Sequence, residues 1–445
     1  MSLIKEITTL FGKEGRHRLL LSNISWQGLE RGARMLAGVF TGILLAGYLG
    51  PGPLGVYSYA LAFVMLFSPL ISLGYDGYIS RDIILEKDKP GHILGSSALL
   101  KLSGSILAIL LIWSFVYFGT SLPRDTKLII EVLSASFLFY PFDVFDIWFR
   151  ARMKSKLASI AKITALVIIN LLKIGFIYLK APLVSFAWLY VAEFMVNGII
   201  QLFFYLKMEP GNIKQWAVST RRIRFVFSES WPLFISAFTY MIYNRIDQVM
   251  IGNMLDNESV GIFSAAGKIS ELPVALILVI NSAIYPVQAA QYKNDPARFL
   301  NGYRMLTHMY TFIAYILLLI VLPGAGFIMG IYPHSFAAGV SVLQINFLGL
   351  VFIFNAGATN AYLSLTGNQR YLLYTNIAAT VINIGLNYFL IPAFGINGAA
   401  WASTISEFIA LLLLNGIFPK IRYMFKVQTN ALVPIGLFRK GAARL

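Results

Sequence analysis

No cysteine occurs among the 445 residues, which excludes disulfides, thiolate nucleophiles and cysteine-based metal sites. Charge is scarce as well: Asp, Glu, Lys and Arg make up 13% of the chain, about half the share usual in soluble domains. With 58% hydrophobic residues and a mean hydropathy of +0.71, the chain lacks the polar surface needed to cover a water-soluble core of this size. A soluble globular enzyme, a disordered chain and a coiled coil are excluded, and a polytopic membrane protein remains. The histidines show no metal-ligand spacing: His17, His92 and His334 fall in loops or tails, and His308 near the inner end of a predicted helix. There is no Walker A sequence, so energy must come from a gradient, the membrane potential or mass action. Gly50-Pro51-Gly52-Pro53-Leu54-Gly55 fits G-x-G-x-x-G in letters only, because two prolines sit in it and no strand precedes it. No cofactor is expected. Lys5, Glu6, Lys13, Glu14, Arg16 and Arg18 interrupt any signal-peptide core, so insertion is expected to begin with the first membrane helix.

What the chain does have is long apolar runs. A helical span needs about 20 apolar residues, and runs of that length are far longer than the strands of a membrane barrel. Roughly 19–48, 54–79, 93–119, 127–149, 157–179 and 182–206 form a first set. Roughly 231–254, 260–289, 303–330, 336–364, 370–392 and 396–419 form a second. About 26 of the 36 basic residues then fall on one side if the N-terminus is cytoplasmic, against about 3 on the other (Arg124, Lys127, Lys180), which sets both termini inside. Most of the +16 net charge is therefore a topology signal. The basic run Arg150–Lys156 reads as a cytoplasmic loop near anionic headgroups and not as an RNA patch, so no nucleic-acid partner is expected.

The stretch 207–230 carries Pro210-Gly211, then Arg221, Arg222 and Arg224 beside Phe225-Val226-Phe227, the pattern of an amphipathic cytoplasmic linker. On either side the sequence repeats. Gly55-Val56-Tyr57-Ser58-Tyr59-Ala60 matches Gly261-Ile262-Phe263-Ser264-Ala265-Ala266, and Trp26 matches Trp231 at nearly the same offset. Ala187-Trp188 and Glu193-Phe194 are echoed by Ala400-Trp401 and Glu407-Phe408. Six helices per half make the repeat parallel, a transporter architecture. The expected fold is an all-α polytopic membrane protein with about twelve transmembrane helices, in two parallel-repeat six-helix lobes around a central cavity. The lobes are expected at 1–206 and 231–420, with the linker 207–230 between them and a basic cytoplasmic tail at 421–445.

Seven basic residues lie within the spans: Arg31, Arg34, Lys101, Lys162, Lys173, Arg245 and Lys268. Each costs about 3 kcal/mol at the centre of a lipid-facing helix. Lys101, Lys162 and Lys173 lie near span ends and are expected to snorkel. Arg31, Arg34, Arg245 and Lys268 fall deeper, and Gln27, Arg31 and Arg34 share a helix face. Internal pairing, Glu30 with Arg34 and Lys268 with Glu271, is the structural alternative. Guanidinium groups in a wet cavity suit a phosphate-bearing substrate, whose oxygens match the planar fork. Asp143, Asp146, Glu193, Asp247, Glu271 and Glu407 are carboxylates at depth. Asp146 can reach Arg150 one turn on. Glu193 and Glu407 either pack or couple transport to an ion, and Asp247 and Glu271 are further candidates for ion coupling or cavity lining. Asn376, Asn383 and Asn387, with Thr380 between them, form a polar seam that meets either a sugar or a neighbouring helix.

Taken in order, several stretches resemble the Wzx-type repeat-unit flippases of the polysaccharide transporter family, within the multidrug/oligosaccharidyl-lipid/polysaccharide (MOP) superfamily. They are Leu49-Gly50-Pro51 through Gly55-Val56-Tyr57-Ser58, Asn244-Arg245-Ile246-Asp247-Gln248-Val249-Met250-Ile251-Gly252, and Gly261-Ile262-Phe263-Ser264 through Lys268 and Glu271. Asn360-Ala361-Tyr362 through Gly367-Asn368, and Gly395-Ile396-Asn397-Gly398-Ala399-Ala400-Trp401-Ala402, complete the set. The resemblance spans nearly the whole chain, and the ordered combination carries it. It implies movement of undecaprenyl-diphosphate-linked oligosaccharide from the inner to the outer leaflet of a bacterial cytoplasmic membrane, with other glycan-assembly proteins as partners. Arg245, Asp247, Lys268 and Glu271 stand at family-like positions; Arg31 and Arg34 rest on the charge argument alone. A drug or cation antiporter of the same superfamily is the first rival, and the basic excess within the spans opposes cationic cargo. A membrane-embedded glycan polymerase or ligase is the second, and the short outer loops oppose that.

Overall fold

Lipid leaves a backbone no solvent to bond with, so every apolar run of this chain closes its hydrogen bonds within helices. A computed structural model describes residues 14–85, 89–119, 122–208 and 213–433, and those residues contain no strand. Eleven helices or helix pairs among them are long and apolar enough to cross a membrane. Their outer faces carry the apolar groups a soluble protein would bury, among them Leu36, Leu171, Leu319 and Phe389, each at least 64% exposed. This is a multi-pass membrane protein.

The described chain forms two compact units, one ending at Val249 and the other beginning at Met250. The first starts with α1 (Glu14–Leu49), whose N-terminal half is fastened by Asn23 to the Met153 carbonyl and the Ser155 amide, each at 2.8 Å. The second span is broken into α2 (Pro51–Met65), α3 (Pro69–Ser72) and α4 (Asp76–Ile84). The break turns on Leu73 and Gly74, at φ 45° and 74°. Gly74 is required twice over, since a Cβ there would also lie 2.7 Å from the Phe234 amide nitrogen. α5 (Pro90–Phe118) follows. The fourth span is α6 (Arg124–Ser134), a tight 3₁₀ stretch at Ala135–Phe142, and α7 (Asp143–Ala151). α8 (Ser155–Tyr178) and α9 (Leu183–Met208) complete six spans.

The linker and the seventh helix differ from expectation. Residues 220–254 form one 35-residue helix, α10 (Thr220–Met254), which takes in the arginine-rich stretch and continues through Pro232. It is not among the eleven apolar spans, although its length suffices to cross. The connector does not lie free on the membrane surface. The Ala217 amide donates to the Gly91 carbonyl at 3.3 Å and the Ser219 amide to Ser96 Oγ at 2.9 Å. Val226 is buried in a core with Tyr75, Leu94, Phe145, Trp148 and Tyr205, with Trp216 and Ile223 packed against it. Residues 209–212, with Pro210 and Gly211, lie outside the described set.

The second unit holds α11 (Asn257–Glu271) and α12 (Val274–Asn294), parted at Pro273, then α13 (Pro296–Met329), α14 (Gly339–Asn355) and α15 (Thr359–Leu365). α16 (Arg370–Phe394) and α17 (Ile396–Glu407) follow, and α17 widens into π-helical turns over Phe408–Leu413 before α18 (Leu414–Ile417). The expected tail is also partly structural. α19 (Arg422–Leu432) buries Met424, Val427, Gln428 and Ala431. Gln428 accepts from Asn415 at 2.9 Å through its side chain and from Asn355 at 3.1 Å through its carbonyl, and Tyr315 donates to the Leu432 carbonyl at 2.8 Å. Within the stretch expected as a basic cytoplasmic tail, an eleven-residue amphipathic helix packs into the second unit. Residues 434–445 lie outside the described set.

Candidate functional site

Arg34, mid-way along α1, is the hub of the first unit's mid-span charges. Its Nη1 donates to Glu193 Oε1 on α9 at 2.8 Å, and its Nε to Glu30 Oε1 one turn back at 3.1 Å. The i, i+4 pairing expected from the sequence is present, and a second carboxylate has been added from across the helix pair. Lys173 of α8 lies within electrostatic range of both Glu193 and Arg34. A small cavity of about 50 Å³ opens here, lined by Arg34, Lys162, Ala165, Glu193, Phe194 and Asn197. Its lining is both polar and apolar, and it is large enough for a water or a single anionic oxygen. Arg31, three residues before Arg34, is exposed, and among the described residues it has no ion pair or hydrogen bond. Gln27, on the same face, is engaged elsewhere: it donates to Ser155 Oγ at 3.1 Å.

Arg245 comes to the same neighbourhood from α10. It is half-buried and within electrostatic range of Tyr190, one turn before Glu193. Its Nε is buried with no hydrogen-bond partner among the described residues, and no carboxylate there pairs with it. Asp247 is also half-buried but two residues further on, on another face. Aromatic rings line this part of α9: Tyr190 and Phe194 lie 5.2 Å apart, and Phe194 stacks on Tyr140 at 5.0 Å. The first unit thus brings Arg34, Glu193 and Arg245 around α9, with Arg31 one turn below.

A second ionic cluster escaped the sequence reasoning. Lys101 does not snorkel. It is 1% exposed, its Nζ lying 2.8 Å from Asp76 Oδ1 and 2.9 Å from Asp143 Oδ2. Both carboxylates open short helices just after a backbone irregularity, α4 after the Leu73–Gly74 break and α7 after the 3₁₀ stretch, where helix N-termini favour an acid. Gly104, one turn beyond Lys101, lets α3 come into contact, since any Cβ would run into the Leu70 carbonyl. Nor does Lys162 reach for the interface: its Nζ lies 2.9 Å from Asp146 Oδ1, and Asp146 also pairs with Arg150 as its spacing implied. A lysine deep in one apolar span, with an aspartate in each of two others, was the available signal.

In the second unit Lys268 and Glu271 are exposed near the C-terminal end of α11. Glu407 closes α17 where the π-helical turns begin, its carboxylate packed against the Cα of Gly349 on α14. Asn383 and Asn387 are fully buried. Asn383 donates to Ser403 at 3.2 Å and Asn387 to Asn383 at 3.1 Å, so in this conformation the two serve helix packing and are closed to a sugar. Asn376 is half-buried, its carbonyl accepting from Thr380 at 2.9 Å.

Residues 20–290, more than half of the chain, match the polysaccharide biosynthesis protein family. The chain belongs to this family. A second family, MatE, matches residues 232–389. Among individual relatives, an Escherichia coli (strain K12) protein named as an O-antigen transporter is 22% identical over 60% of this chain and 64% of its own length. A Haloferax volcanii protein named as the flippase AglR is 29% identical over 40% of this chain and 39% of its own. The chain thus matches less than two thirds of the length of these relatives. Solved structures cover more. The lipid II flippase MurJ in an inward closed conformation superposes with a TM-score of 0.71 at 16% identity, over 91% of this chain and 90% of that one. An inward-facing MATE-family multidrug transporter of the MOP superfamily gives 0.72 at 15%, over 89% and 96%. At such identities these neighbours establish the fold of this polysaccharide biosynthesis family member.

Proposed function

We propose that this family member is a transporter, not an enzyme: a flippase that carries undecaprenyl-diphosphate-linked glycan repeat units from the inner to the outer leaflet by alternating access. The membrane is a bacterial cytoplasmic membrane, with both termini on the cytoplasmic side as the basic loops require. The observation that carries the proposal is Arg245, a half-buried guanidinium with an unsatisfied Nε and no carboxylate partner among the described residues. A buried cation in a membrane span is costly unless an anion meets it during the working cycle. Diphosphate oxygens meet it well, and Arg34 and Arg31 of the same unit are the further contacts. The aromatic faces of Tyr190, Phe194 and Tyr140 suit the sugars nearest the phosphate. Asp247, Glu271, Glu193 and Glu407 are the carboxylates available to couple the cycle to an ion, and Asn376 is the member of its seam left open to a sugar.

The match of residues 232–389 to MatE keeps an antiporter of cationic drugs as the second reading. A cationic cargo would meet Arg34, Lys162 and Lys173 around Glu193, which opposes it. Purified protein in vesicles decides between them. Accelerated transfer of a polyprenyl-diphosphate-linked glycan to the outer leaflet supports the flippase. Transport of organic cations without it overturns the proposal.

A further inference from the structure

Lys162 holds two positions at once. Its ammonium is paired with Asp146 Oδ1 at 2.9 Å, and its side chain lines the cavity that also exposes Arg34, Glu193 and Asn197. Asp146 is 1% exposed and keeps a second cation, Arg150, whose side chain is 42% exposed. If Lys162 leaves, Asp146 is still compensated. The Arg34 guanidinium, in contrast, is held in place by Glu30 and Glu193 through two of its five N–H groups, which leaves donors for an anion but no freedom to swing. An anion entering the cavity therefore meets Arg34 already in place, and Lys162 is the lining cation that can turn to it without stranding a buried carboxylate. The flexible four-carbon stem with three rotatable donors is the chemistry such a swing requires, and the Asn197 amide stands beside the same space as a neutral donor.

We infer that Lys162 is a switching cation for a phosphate oxygen: it exchanges Asp146 for the bound anion and completes, with Arg34 and Asn197, a seat for the phosphate end of the cargo. This rests on the flippase reading above. It also links cargo to fold, because Asp146 lies on α7 and Lys162 on α8. Occupancy of the cavity then loosens the ion pair that ties those helices together next to the cytoplasmic turn at Met153.

The test measures binding of a polyprenyl diphosphate to the full-length protein in nanodiscs, with inorganic pyrophosphate as a second probe. Lys162→Met is expected to weaken polyprenyl diphosphate binding about tenfold, the loss of one charge-assisted hydrogen bond. Asp146→Asn, which frees the ammonium, is expected to tighten it several-fold, and the double variant to match Lys162→Met. Opposite signs are not produced by a merely structural ion pair, for which both variants would weaken binding alike. Asn197→Leu, which breaks no ion pair, is expected to weaken binding should Lys162→Met fail to fold. Shifts of the same sign from Lys162→Met and Asp146→Asn, or unchanged binding in both Lys162→Met and Asn197→Leu, overturn the inference. If wild type binds and Arg245→Ala weakens binding while Lys162→Met does not, the switch fails and the flippase reading stands. If wild type binds neither probe, both fail. Binding of pyrophosphate with the same dependence on Lys162 assigns the seat to the phosphate group; dependence seen only with the lipid probe assigns it to the membrane-anchored headgroup, and either supports the switch.

Discussion

The ammonium of Lys101 sits 2.8 Å from a carboxylate oxygen of Asp76, joining the middle of one apolar helix to the first residue of another. Asp143 holds the same ammonium from a third segment, so one lysine fixes a broken helix and a 3₁₀-distorted helix together. Removing one partner of a buried pair costs about 3–5 kcal/mol. The carboxylates keep 45% and 37% of their side-chain surface exposed, which reduces the expected loss for Lys101→Met to about 2 kcal/mol. Thermal unfolding in detergent reads this directly, and adding Asp76→Asn and Asp143→Asn is expected to recover part of it. A Lys101→Met protein as stable as wild type contradicts the assignment.

Arg245→Ala is expected to abolish surface glycan in a complementation assay while the amount of protein in the membrane stays unchanged, because the side chain serves no carboxylate in the described structure. Arg245→Lys is expected to restore little, since an ammonium lacks the planar fork. Arg31→Ala, from an exposed and unpaired position, is expected to reduce export as well. Normal glycan from both alanine variants rules out the phosphate clamp.

Glu193 and Glu407 are paired by the sequence echo but stand in different environments. Glu193 faces Arg34, Lys162 and Lys173 at a cavity, whereas Glu407 is packed against Gly349. In reconstituted vesicles Glu193→Gln is expected to remove the response of transport to an imposed proton or sodium gradient, and Glu407→Gln to retain it. An unchanged ion response in Glu193→Gln assigns that carboxylate to packing.

The spans were legible because a 20-residue apolar run in lipid admits one conformation. Arg34 with Glu30, and Asp146 with Arg150, were legible because i, i+4 spacing is local. Lys101 was not, because its partners come from two other segments and depend on the Leu73–Gly74 turn and on close approach at Gly104. Nothing in a linear pattern fixes that three-way meeting. The asparagine seam was visible as a face of α16, but whether that face meets cargo or Ser403 is decided by tertiary packing. The same holds for α19: its amphipathic pattern is short and its composition basic, and only its bonds to Asn355, 73 residues away, and to Asn415, 13 residues away, identify what it docks against.

Arg222 Nη2 lies 2.9 Å from Asp82 Oδ2, with side-chain exposures of 9% and 6%, so the connector is pinned by a nearly enclosed ion pair. Arg222→Ala leaves Asp82 with its exposed neighbour Arg81 at 3.4 Å, a poorer substitute. The expected cost is about 3 kcal/mol, accompanied by faster protease cleavage within residues 213–219. Cleavage at the wild-type rate refutes the pin.

Gln428 decides whether α19 is a structural element or a dispensable end. Its side chain bonds Asn415 and the Leu411 carbonyl, and its own carbonyl bonds Asn355, all within a buried core. Gln428→Ala removes two buried side-chain hydrogen bonds and leaves Asn415 with only its bond to the Leu411 carbonyl at 2.8 Å, at an expected cost of about 2 kcal/mol. Lys426→Ala, on an exposed position of the same helix, is expected to cost almost nothing, because exposed substitutions rarely do. Melting temperatures of the two purified variants separate the cases. If the helix were a free basic tail, Lys426→Ala would disturb membrane association, and Gln428→Ala would leave stability untouched.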